Sequence, residues 1–455
     1  MTDPIDRLID HAARVRVSDI PAATVAFQRC RVLDNLGCLA AGHDQAGTAA
    51  ALTLARRWSG AAEATVIGSA ERLAAPQAAF VNAVRARALD FCDVLSPGWH
   101  PSSSDVPVAL AAAELSGASG ADVLAALAVG QDVGQRINRA AQANGFFYRG
   151  FDSNILGLFS GAVIAGRLLG LSRDALGHAI GLAFDFGIGT FQHYQDKALA
   201  VRISQGLVAR HALEAVLMAA AGISGPRRVL AGETGFFRLY APAEAELAVL
   251  DEGLGQRFLG EEATCFKLYP SCGVTLALTE TLLDARRGGD LRPADIAEVA
   301  IRISPTMRVI CGGAYAPTTT PEIDAQFSVR YVAANAMLRG RSTLAEFTAA
   351  AATAPDVIAF AGRMAIAEEP AFTHFDQCEA TIRHSDGSQL VLPAQFGRGW
   401  PQNPASSDDL AAKFRQCVVF SGRETWIGRA DRLIAAIDGL AEAPGVGALV
   451  EAFAA

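Results

Sequence analysis

The feature that most constrains this chain is a helical rhythm of small apolar residues running from the N-terminus to about Gly260. In 21–42, Val25, Val32, Leu33, Leu36 and Leu39 recur at helical spacing, and Gly42 suits the exit. Ser104 and Asp105 offer N-cap oxygens before a helix over 106–115, with Pro107 tolerable in its first turn. The pattern continues through 121–141, 156–171 and 204–222, and no long stretch alternates with period two. A chain patterned this way folds as an all-α region with closely packed helices.

The texture changes after Tyr269. Segments 296–303 and 379–384 alternate and are rich in β-branched residues, and Ser385-Asp386-Gly387 follows as a turn signal. Helical patterns at 326–339 and 342–352 lie between them, and helix returns from Ser406 to the end. The fold class expected is mainly α: a large, discontinuous all-α domain with a smaller α+β domain inserted. The expected boundaries are 1–267 and 405–455 for the helical domain and 268–404 for the insertion. A cleft between two such domains is the default place for a ligand.

Composition narrows the function classes. Hydrophobic residues make up 51% of the 455 positions and charged residues 19%, which supports a large buried core rather than disorder. Mean hydropathy is +0.25, yet no apolar run approaches the roughly 18 residues a spanning helix needs, so no membrane is expected as a partner. A net charge of −8 argues against nucleic acid, which needs a basic face. An anionic small molecule stays compatible, because a few placed cations outweigh the global field inside a cleft. The segment MTDPIDRLIDHAARV lacks the basic-then-apolar order of a signal peptide. Eight scattered cysteines without a CxxC pair fit reduced thiols and a cytoplasmic protein. Eight histidines include no HExxH, so no metal is expected, and no glycine-rich phosphate loop opens a helix.

Three stretches carry a resemblance. Leu89-Asp90-Phe91-Cys92-Asp93 followed by His100-Pro101-Ser102 resembles an LDFDDT…HPS segment. Phe266-Lys267-Leu268-Tyr269-Pro270-Ser271-Cys272-Gly273 resembles a K-x-[YF]-P-[SA]-C motif. Gly399-Trp400-Pro401-Gln402-Asn403-Pro404, then Asp409-Leu410 and Lys413-Phe414, resembles a late G-x-P-x-N-P…L…KF run. Val32-Leu33-Asp34-Asn35-Leu36-Gly37, Gly222-Ile223-Ser224-Gly225-Pro226 and Gln326-Phe327-Ser328 with Tyr331 are supporting echoes. Together, in this order, they resemble the MmgE/PrpD family. The resemblance implies a helical domain with an α+β lid, usually a homodimer without a cofactor. It implies dehydration, decarboxylation or epimerisation of small polycarboxylates, with Asp90, His100 and Lys267 on active-site positions.

Other family positions depart. Cys92 stands for the first of two paired aspartates and Val94 for the threonine that follows them. Val201 and Ser204 replace a lysine and a histidine, Phe151 or Asp152 replaces a histidine, and Leu276 replaces another. If 191–205 is one helix, His193, Lys197 and Val201 share a face at i, i+4 and i+8, and Lys197 substitutes for the missing lysine. Gln195 and Asp196 make a solvated face the alternative there. Cys272 reads as helix-start packing rather than as a nucleophile.

His100 lies in a loop with Pro97, Gly98, Trp99 and Pro101, which suits a general acid/base oriented by Asp90. Lys267 reads as a carboxylate anchor or as a cation that meets enolate-like charge. Three functions follow: a lyase that abstracts a proton beside a carboxylate or carbonyl; an isomerase or epimerase that returns that proton; and a non-catalytic binding homologue.

Overall fold

The computed structural model describes residues 3–96, 98–142, 150–187, 189–241 and 245–454. The initial Met1-Thr2 and Pro97 of the His100 loop therefore lie outside the described residues. The fold is mainly α, as the periodicity predicts. Two compact units divide the chain: Met1–Tyr194, Leu199–Thr264 and Leu410–Ala455 form the first, and Gln195–Ala198 with Cys265–Asp409 form the second.

The first unit is helix upon helix: α1 (Ala22–Ala41), α2 (Ala75–Arg87), α3 (Pro101–Ser116), α4 (Gly120–Gln142), α5 (Leu156–Leu168), α6 (Arg173–Asp185) and α7 (Ala200–Ala220). Every residue of α2 is buried, as is α3 from Pro101 to Ala113. A helix buried all round belongs to the interior of a large core. Small residues make that burial feasible by letting backbones approach. At the contact of α7 with α2, a Cβ added to Gly206 would stand 2.6 Å from Val84 Cγ2 and 2.9 Å from the Phe80 carbonyl. Among the described residues no helix is long and apolar enough to cross a membrane.

Charge is buried in this core as well. Arg31 of α1 is fully buried and binds the Asp93 carboxylate at 2.5 Å, with Nη2 donating to the Gly260 carbonyl at 2.7 Å. Asp93 also accepts from the Ser102 hydroxyl at 2.6 Å and the Ser102 amide at 3.2 Å. Its own amide donates to Asp34 at 3.2 Å. Lys413, on the returning C-terminal segment, donates to Asp34 at 2.5 Å and to the Phe91 carbonyl at 2.6 Å. Burial pushes the Asp34 carboxyl up to about 6 even with Lys413 beside it. These contacts tie the start of the chain, its end, and the segment between α2 and α3 together.

The second unit carries a four-stranded sheet: β1 (Ile296–Ile303), β2 (Ala365–Glu368), β3 (Cys378–His384) and β4 (Gln389–Ala394), in the order β2-β1-β3-β4. The β1–β2 pair is parallel; the β1–β3 and β3–β4 pairs are antiparallel. Val299, Ile301 and Ile303 point into a core with Leu278, Leu282 and Val332. Ala297 and Glu298 both face solvent because the register slips between Ile296 and Glu298, a bulge that resets the alternation.

Three local expectations need correction. The helix expected over 106–115 starts at Pro101, so Ser104 and Asp105 are buried interior residues rather than caps. Residues 191–205 are not one helix. A short turn, Gln192–Gln195, ends at Lys197, whose φ is 51°, and α7 begins at Ala200. The break has a visible cause: Lys197 Nζ reaches the fully buried Asp324 at 2.6 Å, and Thr320 donates to the Lys197 carbonyl at 3.1 Å. The pattern over 342–352 splits into Leu344–Phe347 and Ala349–Ala352, because Thr343 and Thr348 each cap a new turn.

Lys413→Met keeps the side-chain volume but leaves Asp34 buried beside no cation. Urea unfolding should show a loss of about 3–5 kcal/mol, the scale for orphaning one member of a buried pair. Adding Asp34→Asn should recover most of it. A loss below about 1 kcal/mol would show that the pair does not brace this core.

Candidate active site

The site is built where α2 ends and α3 begins. Asp90 follows α2 with φ 50°, a left-handed conformation that aspartate tolerates better than most side chains. That turn sends the carboxylate back onto the last turn of the helix, where Arg87 Nη1 holds it in a direct ion pair with both side chains buried. Arg87 also donates to the Tyr194 hydroxyl through Nη2 at 3.3 Å. Burial alone would pull the Arg87 guanidinium down, but the Asp90 charge and Tyr194 hold it well above its ordinary value.

The chain then doubles back: Leu95 and Trp99 exchange backbone hydrogen bonds at 2.7 and 3.0 Å. This delivers His100 to the N-cap position of α3, buried, with Nδ1 2.9 Å from the Asp93 carbonyl and 3.6 Å from Cys92 Sγ. A carbonyl only accepts, so this contact puts the ring proton on Nδ1. The lone pair is left on Nε2, which stands 3.9 Å from Asp90 Oδ1. An imidazole oriented by a backbone carbonyl, with a carboxylate near its basic nitrogen, is the arrangement of a general base whose protonated form is stabilised. The ion network of α1 and Lys413 sits directly behind it, since Asp93 and Ser102 bracket His100.

A second group lies on the same cation. Asp152 caps the turn Ser153–Ile155, accepting the Asn154 amide at 3.0 Å and the Asn154 side-chain nitrogen at 3.1 Å. Gln205 of α7 donates to the Asn154 side-chain oxygen. His193 Nε2 comes within 3.4 Å of Asp152 Oδ2. Its alignment is too poor for a hydrogen bond, so that nitrogen has no hydrogen-bonding partner among the described residues. Burial pushes Asp152 up to about 6; burial, then the Arg87 charge, pushes His193 down to about 4. The Tyr194 ring packs against His193 at a tilt of 43°, with ring centroids 4.5 Å apart. Its hydroxyl is raised mainly by burial, with Asp152 and Asp90 both adding to the shift.

The structure thus brings together Asp90 with His100, and Asp152 with His193. Lys197 is turned to Asp324 of the second unit, so it does not replace the lysine missing at Val201 from one turn away. Val201 is buried, and Ser204 donates to the carbonyl of Ala200 one turn back. Lys267 is buried in the second unit, on a strand-like stretch whose Phe266 amide donates to the Gly399 carbonyl at 3.1 Å. Gly399 has φ 107°, and a Cβ there would stand 2.1 Å from the Phe266 carbonyl, so the glycine of the late motif is required by this approach. Cys272 precedes the short turn Gly273–Thr275 and its amide donates to the Gln326 carbonyl, a packing position. Leu276 is fully buried where that turn becomes a helix.

Arg87 is the residue that sequence reasoning misses, together with Arg31 and Asp93 as its structural backing. The signal was present: an arginine inside an alanine-rich helix, three residues before an aspartate. Among the described residues no cluster of three or more His, Cys, Asp or Glu has metal-binding geometry.

Comparison with known proteins places these groups in context. The chain matches the family model described as the MmgE/PrpD N-terminal domain over residues 6–247, and the MmgE/PrpD C-terminal domain over 269–428. It is 26% identical to a cis-aconitate decarboxylase of Mus musculus, covering 88% of this chain and 84% of that one. It is 23% identical to a cis-aconitate decarboxylase of Aspergillus terreus, covering 95% and 92%. It is 26% identical to a 2-methylcitrate dehydratase of Salmonella typhi, covering 72% and 71%.

One buried carboxylate behind the site gives a pH test. Burial pushes Asp105 up to about 7 against the Ser160 hydroxyl that it accepts at 2.7 Å. A folded-state pKa above the unfolded value means this group favours folding most below about 3.9, and that contribution is lost as pH rises through 7. Asp105→Asn removes the charge, and Gln131, also buried and with an unpaired side-chain oxygen, can accept from the new amide. The variant should be more stable than the parent at pH 8 by about 1–3 kcal/mol, and the gap should shrink as pH falls below 7 and close by about pH 4. Thermal unfolding at several pH values checks this; a gap that widens on acidification would reverse the assignment.

Proposed function

This chain belongs to the MmgE/PrpD family, and from that membership we propose that it is a lyase acting on a small carboxylate or related carbonyl compound by proton abstraction at His100. The observation that carries the reading is the ring orientation of His100: Nδ1 against the Asp93 carbonyl, Nε2 toward Asp90. Nε2 takes a proton from the carbon next to a carboxylate or carbonyl. Asp90 offsets the charge of the imidazolium that forms, and Arg87 holds Asp90 where it can do so. In dehydration hydroxide then leaves with the C–O pair, in keeping with the dehydratase that the chain resembles. In decarboxylation the C–C bond breaks with its pair left on carbon, carbon dioxide departs and a proton is delivered to carbon, in keeping with the decarboxylases. Lys267 takes the role that the family motif implies, a cation for a substrate carboxylate. No cofactor is called upon, and a cytoplasmic homodimer is the proposed working form.

Substrate choice follows from what the site lacks. Val94, Val201 and Leu276 are buried and apolar where the family pattern has polar groups. Fewer partners for carboxylates favour a less charged substrate than a tricarboxylate. The same losses favour a second reading, an isomerase or epimerase, which needs no acid for a leaving group.

A panel of carboxylic acids incubated in D₂O and followed by proton NMR separates the readings. A lyase gives a new alkene or loses carbon dioxide; an isomerase gives exchange of carbon-bound hydrogen without net elimination. cis-Aconitate and 2-methylcitrate should turn over weakly. His100→Ala should cut kcat by about 10² to 10⁴-fold with little effect on folding. Lys267→Ala should mainly raise KM. Turnover that survives His100→Ala would remove the base, and a protein inert toward the whole panel would favour a binding role.

A further inference from the structure

We infer that Asp152 and His193 form a second proton-transfer pair, which supplies a proton to the leaving side of the reaction while His100 removes one from carbon. This rests on the lyase reading above. Its own footing is geometric. Asp152 is buried and held on two sides by Asn154, which Gln205 fixes in turn. Capping the turn Ser153–Ile155 needs only Oδ1 of Asp152, whose hydrogen bond to the Asn154 amide would serve equally from an asparagine. Oδ2 faces His193 Nε2 at 3.4 Å, too misaligned to bond directly. Two polar atoms that face each other without bonding can both be met by a third polar atom set to one side of them. A hydroxyl or carboxyl oxygen fits that demand.

The pair is also tied to the base. Arg87, which holds Asp90, lies close enough to lower His193 electrostatically and to act on Asp152, and it bonds Tyr194, whose ring packs against His193. One buried cation therefore stands between the two acid/base groups. Burial, with the Arg87 charge adding to it, keeps the His193 imidazole neutral, so the proton that the pair can give resides on Asp152. Burial keeps that proton on the carboxyl up to about pH 6.

The step balances in either lyase form. In dehydration, the C–H electron pair becomes the new C=C bond and His100 Nε2 takes the proton. The C–O bond breaks with its pair on oxygen, the Asp152 proton joins that oxygen, and water leaves. In decarboxylation His100 removes no proton from carbon: the C–C bond breaks with its pair left on the substrate carbon, carbon dioxide departs, and the Asp152 proton goes to that carbon. Asp152 regains a proton from water in both, and in dehydration His100 passes the proton it took to water, so the enzyme is unchanged after each turnover.

Asp152→Asn keeps the bond from the Asn154 amide to Oδ1 and gives up the one from the Asn154 side chain to Oδ2, His193→Gln keeps a polar side chain, and both remove proton transfer. With whichever of 3-hydroxybutyrate, malate, citrate, 2-methylcitrate and cis-aconitate the parent turns over, both variants should lose about 10²-fold or more in kcat. Their melting temperatures should stay near that of the parent. The decisive readout is the pH profile: the parent's kcat/KM should fall as pH rises through about 6, where Asp152 loses its proton. That limb should vanish in Asp152→Asn, which a merely structural role would not cause. Deuterium exchange at the substrate carbon, the work of His100, should persist in Asp152→Asn and disappear in His100→Ala.

If both variants keep turnover within about threefold, or the limb survives in Asp152→Asn, the pair has no such role. If the parent acts on none of these acids, the lyase reading fails separately, and ¹⁵N-histidine NMR decides for the pair. The His193 ring signals should show an inflection near pH 6 that Asp152→Asn abolishes. A His193 that is blind to Asp152 overturns the inference.

Discussion

The structure of the first unit turns on a buried arginine and a buried lysine that meet on neighbouring aspartates. Arg31 holds Asp93, Lys413 holds Asp34, and the Asp93 amide bonds Asp34, so the four groups form one connected network. Each charge here is expensive to bury alone, and the low dielectric makes a partly satisfied network costlier than an apolar one. What the network secures is position. It fixes both ends of the segment from Phe91 to Ser102, which carries Asp90 at its entrance and His100 near its exit. An apolar core of the same volume would pack but would not orient a carbonyl against His100 Nδ1. The VLDNLG echo and the KF pair, far apart in sequence, are explained by this single task.

Much of this was legible from the sequence. The small-residue rhythm marked the helices of the first unit, and the alternation in 296–303 marked β1 with both ends correct. Asp90 and His100 could be named because each sits in a motif. Their partners could not, for physical reasons. Arg31 and Asp93 are 62 residues apart, and Lys413 and Asp34 are 379 apart, so no periodicity links them. The helix expected over 191–205 failed for a related reason: helical spacing assumed an unbroken backbone, while Lys197 takes a left-handed conformation and pairs with Asp324. Ser104 and Asp105 looked like caps because their side chains are cap-forming; the proline at 101 started the helix a turn earlier.

The apolar replacements at Val94, Val201 and Leu276 gain meaning from Arg87. A site that loses cations has fewer ways to hold negative charge. In the first unit Arg87 is already paired with Asp90. It cannot bind a substrate carboxylate at full strength without weakening its hold on Asp90, which in the proposed mechanism steadies the protonated form of His100. Selection for a less charged substrate would relax that conflict. The loss of polar partners and the retention of the Asp90–Arg87 pair are then two sides of one electrostatic constraint.

That constraint also bears on the second acid/base group. Were a histidine placed where Asp152 stands, beside Arg87, burial and the cation would both drive off its proton, leaving a poor acid. A carboxyl responds to burial in the opposite direction: desolvation raises its proton affinity, and Arg87 offsets only part of the rise. Exchanging histidine for aspartate at such a position therefore restores a group that still carries a proton in mildly acidic solution. The neutral His193 across from it adds a polar atom without adding charge. A buried carboxyl can in this way keep its proton beside an arginine, because desolvation outweighs the cation.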